Sequence, residues 1–462
     1  MYVGVQNFEP LHLMPSELVP ALLHAMREMS IREIIVENDI LSTYGSRHMG
    51  FLRRKDGTME RTFAKTREDL EEIADVMSKV YTRRSYFDFY KIRMDYQTKD
   101  PYYKPEHSFI IKVDGKIVSH VSIIEKYMRV GSAVVKVAGI GDVYTLAEHR
   151  KKDYSRMLME DALAYMREHH YPLSMLYGIQ DFYHKFGYIE SLNEYWTAIS
   201  TRHLRAYKPV LTVRPFCVED TPALNRLYNE AFSRKTCSMR REEAHWYHIA
   251  NPKTTIVVTD ADVVKGYAIF DLAQRERIVV NEAVASEPKA ADTLLAEMGR
   301  RGVEALIPEV ELHMAPDCAF VERCQAIGVK KTILVPYEGF GQGMLRIMNM
   351  LELLQCIQDE LSRRLADSRF ARHDAEFQIV TDAGSATVTI QNGCVTVSEA
   401  AAQVDIERLE LPQNLLVRSI VGFWTIPLFL ERADAQVGDL LREVLEVLFP
   451  LDHPFTSPMD YF

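Results

Sequence analysis

The stretch Ala138–Tyr188, AGIGDVYTLAEHRKKDYSRMLMEDALAYMREHHYPLSMLYGIQDFYHKFGY, decides how this chain is read. Gly139 to Thr145 is a short apolar and β-branched run. Met157 to Met166 (MLMEDALAYM) then repeats apolar residues at helical spacing, and a second apolar strand follows. Between the first strand and the helix lies Glu148-His149-Arg150-Lys151-Lys152-Asp153-Tyr154-Ser155. A turn that opens a helix presents unpaired backbone N–H groups and the positive end of the helix dipole. Three basic side chains in succession add charge, so this order predicts an anion site suited to a pyrophosphate.

The segment resembles the acetyl-CoA-binding core of the GNAT N-acetyltransferases, whose signature after a strand is Arg/Gln-x-x-Gly-x-Gly/Ala. Here the pattern is Arg150-x-x-Asp153-x-Ser155. The first position fits and the last is small, but Asp153 replaces the central glycine. Its carboxylate either brings negative charge toward a pyrophosphate or faces solvent as ordinary first-turn helix chemistry.

Length and composition describe the body around this site. A chain of 462 residues exceeds what one hydrophobic core usually organises, and about three domains are expected. A hydrophobic fraction of 47% with 26% charged residues belongs to a globular chain rather than a disordered one. The sequence has no run of about 18 apolar residues and no leader pattern, so a cytoplasmic protein without a membrane partner is expected. Cys217, Cys237, Cys318, Cys324, Cys356 and Cys394 lack CxxC spacing, which points away from a disulfide framework or a zinc site. A net charge of −10, with no basic stripe, argues against nucleic acid. It is compatible with a cationic small molecule.

Three blocks follow a leader, residues 1–58, whose helix SELVPALLHAMREM and strand REIIVEN carry no assignment. The first block, 59–207, reads as strand ERTFAK, helix REDLEEIADVMSKVY, and strands SFIIKV and KIVSHVSII around an Asp114-Gly115 turn, leading into the opening stretch. That is the order of a complete GNAT domain. The second block, 208–338, echoes it from strand VLTVRPFCVED through a capped helix start at Asp220 and Thr221. Helix PALNRLYNEAF, strands TTIVVTD and VVKGYAIFD, and helix ADTLLAEMGRRG follow. Its counterpart of the basic turn, SEPKAADTL, lacks the Arg and the glycines, so a degenerate GNAT-like domain that binds no cofactor is expected.

The third block, 339–462, opens with Gly339-Phe340-Gly341-Gln342-Gly343, which reads as a flexible interdomain link. Helix LELLQCIQDELSRRL, strands AEFQIVTD and ATVTIQNGCVTVS, and the apolar helical stretches LLVRSIVGFWTIPLFL and LLREVLEVLF follow. This block resembles the sterol-carrier-protein-like fold, an α/β shell that can enclose an apolar tunnel. The fold class is therefore mixed α+β and α/β: two tandem GNAT-like domains and a sterol-carrier-protein-like domain.

That combination resembles the enhanced-intracellular-survival (Eis) family of acetyltransferases, and three local motifs support the resemblance. They are Tyr183-His184-Lys185-Phe186-Gly187-Tyr188, Leu345-Arg346-Ile347-Met348-Asn349, and the chain end Asp460-Tyr461-Phe462. The resemblance implies that Tyr183 is the general acid and that the free α-carboxylate of Phe462 is the general base. It implies that acetyl-CoA meets Val143, Tyr144, Thr145, Arg150, Lys151, Lys152, Asp153, Tyr154 and Ser155. A homo-oligomer, as a hexamer, is implied too.

The chemistry is consistent with those roles. Acetyl transfer from a thioester to an amine requires a deprotonated amine, a stabilised carbonyl oxygen and a protonated leaving thiolate. A tyrosine with an ordinary pKa of about 10 stays protonated near neutrality, whereas an α-carboxylate at about 3.5 needs burial to become an effective base. A backbone N–H of Val143 to Thr145 would hold the carbonyl oxygen. The expected activity is acetyl-CoA-dependent N-acetylation of a primary amine, aminoglycoside-like or lysine. A scaffold that has lost CoA binding through Asp153 and a lipid-binding module on the third block remain as alternatives. His245-Trp246-Tyr247-His248 lacks the HExxH pattern, so no metal is expected.

Overall fold

A computed structural model of the protein describes residues 51–54, 57–81, 85–272, 276–400 and 406–462. The helix and strand read before residue 50 lie outside the described residues. The described residues form three sheets, and none of the described helices is long and apolar enough to cross a membrane.

The first sheet begins with β1 (Phe51–Arg54), β2 (Gly57–Phe63), β3 (Ser108–Val113), β4 (Lys116–Val130) and β5 (Ala133–Thr145), all antiparallel neighbours. It continues with β6 (Leu173–Gly178) and the short β7 (Ile189–Glu190). Helix α1 (Arg67–Val80) is started by a reciprocal cap: the Thr66 hydroxyl accepts from the Asp69 N–H, and the Asp69 carboxylate accepts from the Thr66 N–H. Helix α2 (Tyr86–Lys99) follows it, and α3 (Tyr154–Glu168) links β5 to β6. Leu158, Met159, Ala162, Leu163 and Met166 recur along one side of α3 and are buried against the sheet. Each large side chain withdrawn from water there contributes roughly 1.5–3 kcal/mol.

The second sheet contains β8 (Glu194–Ser200), β9 (Thr212–Pro215), β10 (Thr255–Asp260), β11 (Val263–Asp271), β12 (Ile278–Ala285), β13 (Glu309–Leu312) and β14 (Lys330–Leu334), in the order β14-β8-β13-β12-β11-β10-β9. Its helices include α4 (Thr221–Ala231) and α5 (Pro288–Glu304), the latter connecting the parallel pair β12 and β13.

From there β15 (Gln342–Ile347) returns to the first sheet and lies between β6 and β7. The expected flexible link at Gly339–Gly343 is therefore corrected. Gln342 and Gly343 belong to a strand, and Gly341 is buried with φ +91. A methyl group on Gly341 would lie 2.7 Å from the Gly178 carbonyl oxygen, so this glycine serves close backbone approach rather than mobility.

The third sheet consists of β16 (Ala375–Thr381), β17 (Gly384–Gln391), β18 (Cys394–Glu399) and β19 (Glu407–Glu410). Helices α6 (Met350–Ala366), α7 (Gln413–Ile420), α8 (Ile426–Ala433) and α9 (Asp439–Leu448) accompany it. The single apolar run LLVRSIVGFWTIPLFL divides into α7 and α8, because Pro427 suits the first turn of a new helix but not the interior of an existing one. Leu353, Leu354, Ile357 and Leu361 of α6 share one buried cluster with Val135, Val137, Leu173 and Met175 of the first sheet. The third sheet is thus joined through α6 to the first. The last residues run back along the second sheet, where Phe455 and Met459 are buried, and end at the first.

Candidate active site

The cleft begins where two parallel strands part. The β5–β6 ladder runs from Val137 opposite Leu173 to Ile140 opposite Leu176 and stops. From Gly141 onward that edge of β5 has no strand beside it among the described residues. On the other edge a bulge interrupts the β4 pairing, which passes from Ser122 opposite Gly141 to His120 opposite Tyr144. Asp142 lies in this bulge with φ +53. Periodicity alone does not reveal this bend. Its sign is an acid within a β-branched run, a residue that tolerates the left-handed region.

Charged and polar groups brace the bulge from beneath. Buried Arg93 of α2 pairs with the Asp142 carboxylate and donates to the Ser108 hydroxyl at 3.0 Å. His120 donates from Nδ1 to the Asp142 carbonyl at 2.8 Å, and burial together with Arg93 holds its pKa well below the usual histidine value. The ring is therefore neutral. Tyr81 donates to the Val143 carbonyl at 2.9 Å, and burial, with Asp142 and Tyr183 close by, raises its pKa. Arg93 escaped the sequence reading because α2 carries almost no apolar periodicity, while His120 of β4 and Tyr81 at the end of α1 stand in no motif.

The basic turn follows directly. Arg150 and Lys151 are exposed and Lys152 is half-buried. Arg150 Nε donates to the Thr145 carbonyl at 3.3 Å. Asp153 precedes α3 with φ +63 and ψ +15, the left-handed conformation a glycine adopts readily, and aspartate is among the few other residues that accept it. Its side chain is 67% exposed and pairs with Arg156 at 3.1 Å. The carboxylate is turned outward, so the replacement of glycine conserves the backbone shape. No side chain caps the start of α3 and no acid occupies its first turn, which leaves its N–H groups free to meet an anion. Ser155 and Thr145 share a hydroxyl hydrogen bond of 2.7 Å, continued from Thr145 to Ser119 at 2.8 Å, that ties the turn to the strand. The side chains of Tyr144 and Tyr154 are buried in apolar clusters, so only their backbones remain available to a bound molecule.

Tyr183 opens the short turn Tyr183–Phe186 after β6. It is 7% exposed, among Phe182 and Tyr188, and burial pushes its pKa up to about 12. Its hydroxyl has no hydrogen-bond partner among the described residues. A cleft between α3 and this turn is lined by Asp153, Arg156, Leu163, Arg167, Lys185 and Phe186.

The chain end enters from the opposite side. A methyl group on Gly141 would lie 3.8 Å from the terminal carbonyl carbon of Phe462, and the Phe462 ring covers Gly139. Tyr177 of β6 packs against both terminal aromatics, with ring centroids 4.0 Å from Tyr461 and 5.8 Å from Phe462. The structure thus brings the Phe462 carboxyl to the first residue of β5 beyond the β6 ladder. Tyr183 and the basic turn border the same opening.

Comparison with known proteins bears on the domains that carry this opening. Residues 64–190 match the model of an acetyltransferase (GNAT) domain, and residues 237–324 match a second model of the same description. A probable N-acyltransferase from Enterococcus faecalis V583 superimposes with TM-score 0.67 at 16% identity, covering 87% of this chain and 100% of that one. A GCN5-related N-acetyltransferase from Kribbella flavida gives 0.64 at 17% identity, covering 87% and 98%. Eis1 from Mycobacterium abscessus gives 0.60 at 16% identity, covering 87% and 100%. At such identities the likeness establishes the fold. No curated protein sequence matches the chain. With two tandem domains of this kind, one in the region of each larger sheet, the chain is a GNAT-type acetyltransferase.

Proposed function

We propose that this chain transfers the acetyl group of acetyl-CoA to a primary amine, aminoglycoside-like or a lysine side chain, in the opening between β5 and β6. The observation that carries the reading is the seat of the chain end, with the Phe462 carboxyl over Gly141 and its ring over Gly139. The residues present fit the cosubstrate. The uncapped start of α3 and the basic side chains Arg150, Lys151 and Lys152 suit a pyrophosphate. The free edge of β5 from Val143 to Thr145 supplies backbone groups for a carbonyl oxygen. Acetyl-CoA brings the thioester, and every proton step falls to the chain. Tyr183 remains protonated at any working pH and offers its O–H to the leaving sulfur. The Phe462 carboxylate takes the proton of the attacking amine. The reading extends to a homo-oligomer, with a hexamer as the state to look for by light scattering.

A C-terminal tag tests the base directly, because it converts the Phe462 carboxylate into an amide. The tagged protein should fold and bind CoA, while acetylation falls by roughly 10²- to 10⁴-fold. Full activity in the tagged protein would remove Phe462 from the mechanism.

A further inference from the structure

The second domain has the same opening as the first, and the chain's own tail fills it. Strands β12 and β13 pair in parallel from Ile278 opposite Val310 to Val280 opposite Leu312, then part, as β5 and β6 do after Ile140. Two residues beyond the last pair stands an acid in each domain: Asp142 on β5 and Glu282 on β12. Each is paired with an arginine, Asp142 with Arg93 and Glu282 with Arg241. In the first domain the opening is bordered by a helix start with basic side chains and no cap. In the second, α5 likewise starts without a side-chain cap, but beside Glu287 and with Pro288 in its first turn, and the tail lies against β12.

The contacts are specific and buried. Ser457 donates to Glu282 Oε2 at 2.5 Å, and Phe455 and Met459 complete the apolar cluster. Arg241, 1% exposed, uses two sides of its guanidinium. Toward Glu282 its terminal nitrogens donate at 2.8 and 2.7 Å, and toward Asp460 Nε and a terminal nitrogen each donate at 2.9 Å. Tyr228 and Tyr267 add hydroxyl bonds to Asp460 at 3.1 Å and to Glu282 at 2.7 Å, and the Arg241 guanidinium lies 3.6 Å from the Tyr228 ring centroid. Burial alone would lower the Arg241 pKa, but the two carboxylates outweigh it and keep the guanidinium charged. Paired forks of this kind fix orientation as well as distance. Asp460 is two residues from the terminal carboxylate, too short a tether for the end to wander once Asp460 is held.

We propose that the opening of the second domain is a receptor for the chain's own tail, and that Arg241, acting through Asp460, is the positioning residue that sets the Phe462 carboxylate over Gly141. The proposal rests on the reading of Phe462 as base. Arg241 itself touches no reacting atom.

The test separates the two ideas. Asp460→Ala leaves Arg241 paired with Glu282, so the fold is retained, and the melting temperature checks this. Release of Phe462 by carboxypeptidase A reports whether the chain end is seated, independently of any acceptor. Turnover with a lysine peptide or an aminoglycoside reports the chemistry. Asp460→Ala should speed Phe462 release at least tenfold and lower kcat at least tenfold, with the CoA dissociation constant unchanged. Deletion of Phe462 should lower kcat at least as far, and added imidazole should restore part of the rate in both variants. Unchanged release in Asp460→Ala overturns the anchoring role. Faster release with full turnover upholds the anchor and overturns Phe462 as base. A variant that loses CoA affinity or melts well below the parent overturns the positioning role in favour of a structural one.

Discussion

The ring of Phe462 stands where a side chain at Gly139 would be: a methyl group there would lie 2.6 Å from two ring carbons. The last residue of the chain and a mid-strand glycine more than three hundred positions earlier are therefore shaped to each other. Gly139→Ala should displace the chain end and lower turnover by roughly tenfold or more, with little change in CoA affinity. The same methyl group would lie 2.9 Å from the Ile124 carbonyl, so the strand itself could shift. Pairing the substitution with deletion of Phe462 distinguishes the two effects, since Gly139→Ala should cost nothing further in the shortened chain. Parental turnover in Gly139→Ala would mean that the contact is idle.

Asp153 provides a test by conformation rather than charge. Because its carboxylate faces solvent and its backbone is left-handed, Asp153→Gly should leave CoA affinity within about threefold of the parent. Asp153→Val removes the same charge but forces a β-branched residue into a conformation costing roughly 1–2 kcal/mol, and it should weaken CoA binding or stability. Calorimetry that shows marked tightening in the glycine variant would place the carboxylate toward the phosphates after all.

Tyr183→Phe should retain CoA affinity and lose roughly 10²-fold in turnover. The shape of the pH profile is the sharper observation. A donor with its pKa pushed up to about 12 is active while protonated and fails only above that value, so it contributes no alkaline limb below about pH 10. Parent and variant profiles should therefore be parallel up to pH 10. A limb that disappears with the hydroxyl would assign Tyr183 a much lower pKa.

Acid stability should depend on Glu360. This buried carboxylate accepts from the Ser132 hydroxyl and from Arg363 and Arg364, docking the β4–β5 hairpin onto α6. Burial opposes its charge, but these partners prevail and lower its pKa to about 2. Its stabilisation is complete above the unfolded-state value near 4.3 and is lost as pH falls through about 2, a contribution on the order of 3 kcal/mol. Glu360→Gln should be less stable than the parent at pH 7, and the gap should narrow toward pH 2. A constant gap across that range would show that Glu360 acts by packing alone.

Local order was legible in the sequence wherever a single element or a tight turn carried it. The change from alternating to helical periodicity across 138–188 gave β5, α3 and β6, and Asp114-Gly115 and Asn392-Gly393 both form turns with positive φ. Long-range relationships were not legible. Arg241 stands in the charged run Met239-Arg240-Arg241-Glu242-Glu243, which reads as a solvated surface, and only the fold brings Glu282 and Asp460 around it. Arg93 is hidden similarly, in a helix whose buried residues are Arg93 and Gln97 rather than an apolar stripe. The basic turn was found because its charges adjoin in sequence, whereas the seat of Phe462 depends on two bare glycine positions whose value lies in what they lack.

The exchange of strands between the two larger sheets has a consequence for how the protein is made. β15 completes the first sheet beside β6, but it is synthesised after every strand of the second sheet, while β8 leaves the first domain's stretch of chain for the second sheet. A growing chain cannot close its first domain before its second has emerged, so folding on the ribosome is nested rather than sequential. A cut between codons 200 and 330 divides the strands of the second sheet, and any cut between codons 194 and 342 parts β15 from the rest of the first. The first sheet is finished only after the chain has made every strand of the second.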